Sequence, residues 1–138
     1  MPTTDRRLGA VVAVALGGAL GAPARYELSE RFPAAPGSFP WATFCINVSG
    51  SFLLGLLLTV VLERWPPTRY VRPFAAIGVL GAYTTFSTFS VEADLLIRNG
   101  HIALGIAYVF ASLAAGGAAV YLGIVAGRLR LAWRRSTR

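Results

Sequence analysis

Pro73-Phe74-Ala75-Ala76-Ile77-Gly78-Val79-Leu80-Gly81-Ala82-Tyr83-Thr84-Thr85-Phe86-Ser87-Thr88-Phe89-Ser90-Val91 is a run of nineteen residues without Asp, Glu, Lys or Arg. Crossing the hydrocarbon of a bilayer takes about 20 mostly apolar residues, with a working range of about 17 to 25, so this run is long enough. It is nevertheless a poor uninterrupted lipid-facing helix. Gly78 and Gly81 precede five hydroxyl residues in the seven positions 84–90. A break near residues 81–85 would free backbone carbonyls at mid-membrane, which is tolerated where they bind an ion or line a cavity. The alternative is that the hydroxyls bond back to the preceding turn, as they commonly do in membrane helices.

Residues 8–24, 32–62 and 99–127 are likewise free of charged side chains. Together with the run above they predict an all-α membrane protein of four transmembrane helices, near 8–28, 40–62, 70–97 and 101–127, the third broken near mid-membrane. A single integral membrane domain would then fill 1–138, with a basic C-terminal tail over 128–138. Tyr26, Trp41, Trp65, Tyr70 and Trp133 fall near proposed ends, where amphipathic rings prefer the headgroup level. Pro33, Pro36, Gly37 and Pro40, then Pro66-Pro67, then Asn99-Gly100 mark the three connectors. Arg6-Arg7, the apolar stretch and Ala22-Pro23-Ala24 resemble a cleaved secretory signal, but three further spans favour a first transmembrane helix.

The composition supports this reading: 55% hydrophobic residues, 14% charged and a mean hydropathy of +0.59. Soluble domains carry roughly 25% charged residues. The formal net charge is +7, and all thirteen basic residues are arginine. Nucleic-acid binders place cations on a face that tracks phosphates, whereas these arginines bracket uncharged runs, so no nucleic-acid partner is expected. Ten of them (Arg6, Arg7, Arg64, Arg69, Arg72, Arg128, Arg130, Arg134, Arg135 and Arg138) fall on the side of the two termini, against Arg25, Arg31 and Arg98 opposite. The positive-inside rule then puts both termini in the cytoplasm. One cysteine, Cys45, and one histidine, His101, leave no disulfide framework or zinc site; Cys45 is expected as an apolar packing residue and His101 as interfacial.

Polar residues inside the spans must face protein, water or a ligand. Phe86 and Phe89, three apart, share a helix face and serve either packing or the presentation of positive ring edges to a small anion. Asn47 and Ser51 form an i, i+4 pair, and Asn47 must meet another helix or a permeant species. Tyr108 and Ser112 repeat that spacing as a candidate hydroxyl ladder. Glu92 and Asp94 point to different faces, so Asp94 reads as a solvated helix end and Glu92 as a group able to influence ion access. Arg25 either snorkels to the interface or draws anions to a vestibule. Gly17-x-x-x-Gly21 and Gly123-x-x-x-Gly127 suit close helix crossings.

Three ordered motifs carry a resemblance. Gly17-Gly18-Ala19-Leu20-Gly21-Ala22-Pro23-Ala24-Arg25-Tyr26, Asn47-Val48-Ser49-Gly50-Ser51-Phe52-Leu53-Leu54-Gly55 and Gly81-Ala82-Tyr83-Thr84-Thr85-Phe86-Ser87-Thr88-Phe89-Ser90-x-Glu92 resemble the helix signatures of the Fluc (CrcB) fluoride channel family, from about residue 10 to 125. The resemblance implies an antiparallel dimer of four-helix subunits in the cell membrane, with two fluoride pathways and no enzymatic activity. Carried over by position, Phe86 and Phe89 would be the ring-edge residues, Asn47 a donor beside them, and Tyr108 with Ser112 part of a hydroxyl track. Gly81 and Thr84 would lend carbonyls from both subunits to one structural Na+ on the dimer axis, which is not transported. Ala82, Ala42 and Gly116 depart from the family pattern, and Gly116 leaves the length of the track open.

The expected function is therefore a passive channel that lets trapped cytoplasmic fluoride leave and so lowers fluoride toxicity. Many weak donors replace the hydration shell without holding the ion too tightly. The alternatives are a four-helix proton-coupled small-molecule exporter, which would want a membrane-embedded carboxylate in the first span, and a non-transporting scaffold. The arginine asymmetry bears on the partner. A second copy in an antiparallel homodimer must insert both ways, whereas ten against three points to one half of a pair with an oppositely oriented sister chain.

Overall fold

The computed structural model describes residues 2–64 and 69–136. Helix α1 is Pro2–Arg31 and α2 is Trp41–Arg64; a π-helical segment, Arg72–Leu80, leads into the short α3, Gly81–Tyr83, followed by α4, Phe86–Arg98, and α5, Ile102–Ser136. Four stretches are long and apolar enough to cross a membrane: Arg7–Arg31, Trp41–Val61, Arg72–Arg98 and Ile102–Arg130. The chain is an all-helical, multi-pass membrane protein.

Two helices overrun their expected ends. α1 starts at Pro2 and closes at Arg31, and α5 runs through most of the segment expected as a basic tail, to Ser136. The expected ends fall where charge begins, but charge stops burial in lipid rather than i→i+4 hydrogen bonding, and arginine is a good helix former. Arg31 in the last turn of α1 also complements the helix dipole. The turns lie where the glycines predict, with φ +72° at Gly37 and +87° at Gly100, a region that favours glycine. Tyr26, Trp41 and Tyr70 are all exposed. Trp65, Pro66, Pro67 and Arg138 lie outside the described residues, as do the side chains of Arg6, Arg64, Trp133, Arg134 and Arg135.

α2 lies along α5, α1 packs on the π-helical segment and α3, and α4 crosses onto α5. The third span thus leaves α1 and joins α5 partway along its length. The tight crossings are made by glycine. A Cβ on Gly17 would overlap the Phe74 carbonyl oxygen, one on Gly21 that of Val79, and one on Gly123 that of Phe52. Gly78 is the counterpart of Gly17, with a Cβ position 2.7 Å from the Val14 carbonyl oxygen. Without a hydrophobic effect between helices in lipid, such backbone approach and dispersion contact hold the bundle together.

The large apolar side chains accordingly point outward: Leu16, Leu20, Leu113 and Leu122 are exposed. The interior is small. Its centre is Ala93, Leu96 and the fully enclosed Tyr108, with Phe39, Phe44 and Phe89 packed around them. Cys45, expected inside, is exposed. Its neighbour Ile46 takes the interior position at 2% exposure, so the packing face of α2 is one residue further on.

The glycine contacts yield a stability prediction. Gly123→Val, which drives side-chain atoms into the α2 backbone, should destabilise the folded protein in detergent by about 1–3 kcal/mol or more. Gly117→Ala, where a Cβ meets nothing within 4 Å, should leave it as stable or raise stability by about 0.5–1 kcal/mol, since alanine is the better helix former. Thermal unfolding of the two variants, followed by loss of helical signal, makes the comparison.

Candidate functional site

The site is organised by two residues. α3 ends at Tyr83; Thr84 (φ −78°, ψ 157°) and Thr85 (φ −144°, ψ 122°) are extended, and helix resumes at Phe86. These two residues sit midway along the 27-residue span Arg72–Arg98. The backbone groups of Thr85 are satisfied from α2. The Thr85 N–H donates to Asn47 Oδ1 and Asn47 Nδ2 donates to the Thr85 carbonyl, each at 2.8 Å. Thr84 Oγ1 donates to the Leu80 carbonyl at 2.9 Å, and Thr85 Oγ1 caps α4 by accepting the Thr88 N–H at 3.2 Å. Asn47 therefore performs the interhelical bonding that its sequence context left open. One N–H of its amide remains for another acceptor.

In an unbroken helix the Thr85 N–H would close on the Gly81 carbonyl. Its donation to Asn47 deprives that carbonyl of its usual partner. Gly81 is exposed and Thr84 half-buried. Asn47, Ser51, Gly81, Thr84, Thr85 and Phe86 all border one recess of about 260 Å3 that opens outward.

Phe86 and Phe89 lie on the first turn of α4 with ring centroids 5.8 Å apart and planes at 42°. Phe86 is 78% exposed, whereas Phe89 turns inward onto Tyr108, 5.2 Å between centroids. Phe39 meets the Tyr108 ring edge-on at 5.2 Å and 84°, continuing the aromatic column toward the α1–α2 connector. The Tyr108 hydroxyl donates to Glu92 Oε2, and Thr43 Oγ1 donates to Glu92 Oε1, both at 2.8 Å. Glu92 is thus held between α2 and α5, while Asp94 faces outward in an exposed 2.7 Å ion pair with Arg98. Exposed pairs of this kind contribute little to stability.

Ser112 sits one turn beyond Tyr108, but the two hydroxyls do not bond; the Ser112 Oγ is buried without a hydrogen-bond partner. Arg25, half-buried near the end of α1, makes no ion pair among the described residues and does not border the recess. Asn47, Phe86, Gly81 and Thr84 are thus gathered at the recess, with Phe89, Tyr108 and Glu92 behind it. Thr43 was missed. The signal was present, since Thr43, Asn47 and Ser51 recur every four residues on one face of α2. Phe39 carried no such signal, because its position depends on how the α1–α2 connector folds back.

Helices that expose apolar surface outward and bond an amide, hydroxyls and a carboxylate to one another between the spans define a multi-pass membrane protein with polar groups set among its helices. The family model described as CrcB-like protein, Camphor Resistance (CrcB), matches residues 12–124. This chain belongs to that family. The chain is 59% identical over 128 residues to the fluoride-specific ion channel FluC 3 of Streptomyces avermitilis, covering 93% of this chain and 63% of that relative's length. It is 43% identical over 118 residues to FluC 2 of Nocardia farcinica, covering 86% and 84%. With FluC 1 of Streptomyces coelicolor it shares 44% over 126 residues, covering 91% and 82%.

The paired Asn47 bonds make a local prediction. Asn47→Ala strands the Thr85 N–H and carbonyl together, at a cost of about 1–3 kcal/mol for each buried group. Amide hydrogen exchange at Thr85 should accelerate, with α5 amides distant from the site little changed.

Proposed function

We propose that this chain is the subunit of a fluoride-specific channel that lets cytoplasmic fluoride leave passively. The observation that carries the proposal is the meeting of Phe86 with the Asn47 amide at one recess, with the Phe89 ring behind it at 5.8 Å between ring centroids. Positive ring edges and a spare amide N–H attract a small anion without a full positive charge, so the ion binds weakly enough to move on. The relatives, each a fluoride-specific ion channel by name, support the same reading. Hydrogen fluoride that crosses as the neutral acid and ionises inside supplies the gradient. No covalent step is required.

In this reading Phe86, Phe89, Asn47, Tyr108 and Ser112 line the pathway, and Glu92 and Arg25 act at its vestibule. Tyr108 donates its single O–H to the Glu92 carboxylate, so it serves fluoride as a donor only when that bond opens. The break at Thr84–Thr85 belongs at mid-membrane, and the outward exposure of Phe86 fits a subunit completed by a second, antiparallel chain. The freed Gly81 carbonyl, with extended Thr84 beside it, fits the hard oxygen ligands that a structural sodium ion wants at such an axis. That ion would hold the two chains in register. Among the described residues, no carboxylate lies in the middle of α1 to exchange protons against a cationic substrate.

The deciding measurement is fluoride efflux from liposomes containing only this chain, with and without sodium. Fluoride flux with little chloride flux is expected, and it should fall when sodium is removed. Phe86→Ile and Phe89→Ile should each lower it while the protein elutes as before. Equal chloride flux would reject the fluoride-specific channel, and no flux from this chain alone would reject its working as a self-paired channel.

The arginine distribution supports a fixed orientation with both termini cytoplasmic, and hence an oppositely inserted sister chain as the natural partner. A tag at the C-terminus should be protected from external protease in right-side-out vesicles. Equal exposure on both membrane faces would point instead to a self-paired homodimer.

A further inference from the structure

Most hydroxyls in the spans have found a partner. Thr59 Oγ1 bonds back to the Gly55 carbonyl at 2.8 Å and Ser90 Oγ to that of Phe86 at 2.9 Å, the usual way to bury a hydroxyl in lipid. Thr43 and Tyr108 hold Glu92, and Ser49 pairs with Tyr83 at 3.0 Å. Ser51 is different. It stands midway along α2, half-buried, and makes no hydrogen bond among the described residues. Its hydroxyl is not turned back onto α2. It lies 3.7 Å from the position that a Cβ on Gly116 of α5 would occupy.

Gly116 is the next i+4 step after Tyr108 and Ser112, and there the α5 stripe has no side chain to offer. Ser51 fills that gap from the facing helix, and it also borders the recess that holds Asn47 and Phe86. One turn away on α5, the Ser112 Oγ is buried and equally without a partner. An unsatisfied hydroxyl in this setting is costly, so two of them near one level call for a water or an ion between the helices.

We propose that Ser51 is an anion-binding residue: its Oγ donates to the permeating fluoride and carries the hydroxyl track from Ser112 across to α2 at the level of Gly116. The assignment rests on the channel reading above. Gly116 is the complementary half of the arrangement, since its missing side chain leaves space beside the Ser51 hydroxyl. A pathway of this form changes helices, from the Ser112 hydroxyl on α5 to the Ser51 hydroxyl on α2.

Fluoride efflux from liposomes containing the full chain tests this with four proteins measured side by side: unaltered, Ser51→Ala, Ser51→Thr, and Ser51→Ala combined with Gly116→Ser. Losing a donor to a charged species should lower flux by about tenfold or more in Ser51→Ala. Ser51→Thr, which keeps the hydroxyl, should stay within about threefold of the unaltered protein, a margin below one such hydrogen bond. Gly116→Ser should restore flux to Ser51→Ala by returning the hydroxyl from the opposite helix, which a role in packing alone would not do. If Ser51→Ala does not elute as folded protein, the near-isosteric Ser51→Cys takes its place with the same expected loss. Flux retained by the alanine or cysteine variant overturns the assignment, as does a deficit that Gly116→Ser leaves unrepaired. Absence of flux from the unaltered chain overturns the self-paired channel on which the assignment is tested and is seen in its own arm.

Discussion

The arrangement turns on the two hydrogen bonds between the Asn47 side chain and the backbone of Thr85, each 2.8 Å. Hydrocarbon supplies no water to an open peptide group, so helix can stop inside a span only where something else meets the exposed N–H and C=O. A primary amide is suited to this because it offers a donor and an acceptor side by side, much as a neighbouring peptide would. Asn47 thus lets Thr84 and Thr85 remain extended midway along the span. The Phe86 ring, the Gly81 carbonyl and the start of α4 are placed by that clamp.

The extended pair has a second consequence, in packing. Upstream of it the third span lies against α1 through the Gly17–Gly78 approach; downstream, α4 lies against α5. A straight helix would have kept one set of neighbours. Changing partners at Thr84 brings Phe89 and Glu92 onto Tyr108, and it is this junction that assembles groups from α2, α4 and α5 into one cluster. The π-helical form of Arg72–Leu80 immediately before it was not legible in the sequence. Gly81 closes that segment with its N–H on the Ala76 carbonyl, a wider turn than α-helix.

Much of the site could be read from residue types. Asn47, Phe86 and Glu92 stand out because an amide, paired rings and a carboxylate are costly or conspicuous among apolar neighbours. Their roles were less legible. Asn47 as interhelical clamp and Asn47 as donor to an ion look alike in one dimension, since both need only an amide inside a span. Tyr108 and Ser112 have the spacing of a ladder, yet the tyrosine hydroxyl turns to Glu92 sixteen residues away and leaves the serine alone. Side-chain spacing fixes which face a group occupies, and the partner across that face decides what it bonds to.

By itself the sequence determined the medium and the number of crossings, because transfer into hydrocarbon is set by local composition: four uncharged runs of sufficient length, glycines at the turns and glycines at the close crossings. It also marked the interruption, through five hydroxyls in seven positions after Gly81. Only the tertiary structure decided which helices touch. It turned Cys45 outward, joined Thr43 to Glu92 and set Ser51 opposite Gly116. Those outcomes depend on backbone approach between segments distant in sequence, where a missing Cβ on one helix makes room for a group on another.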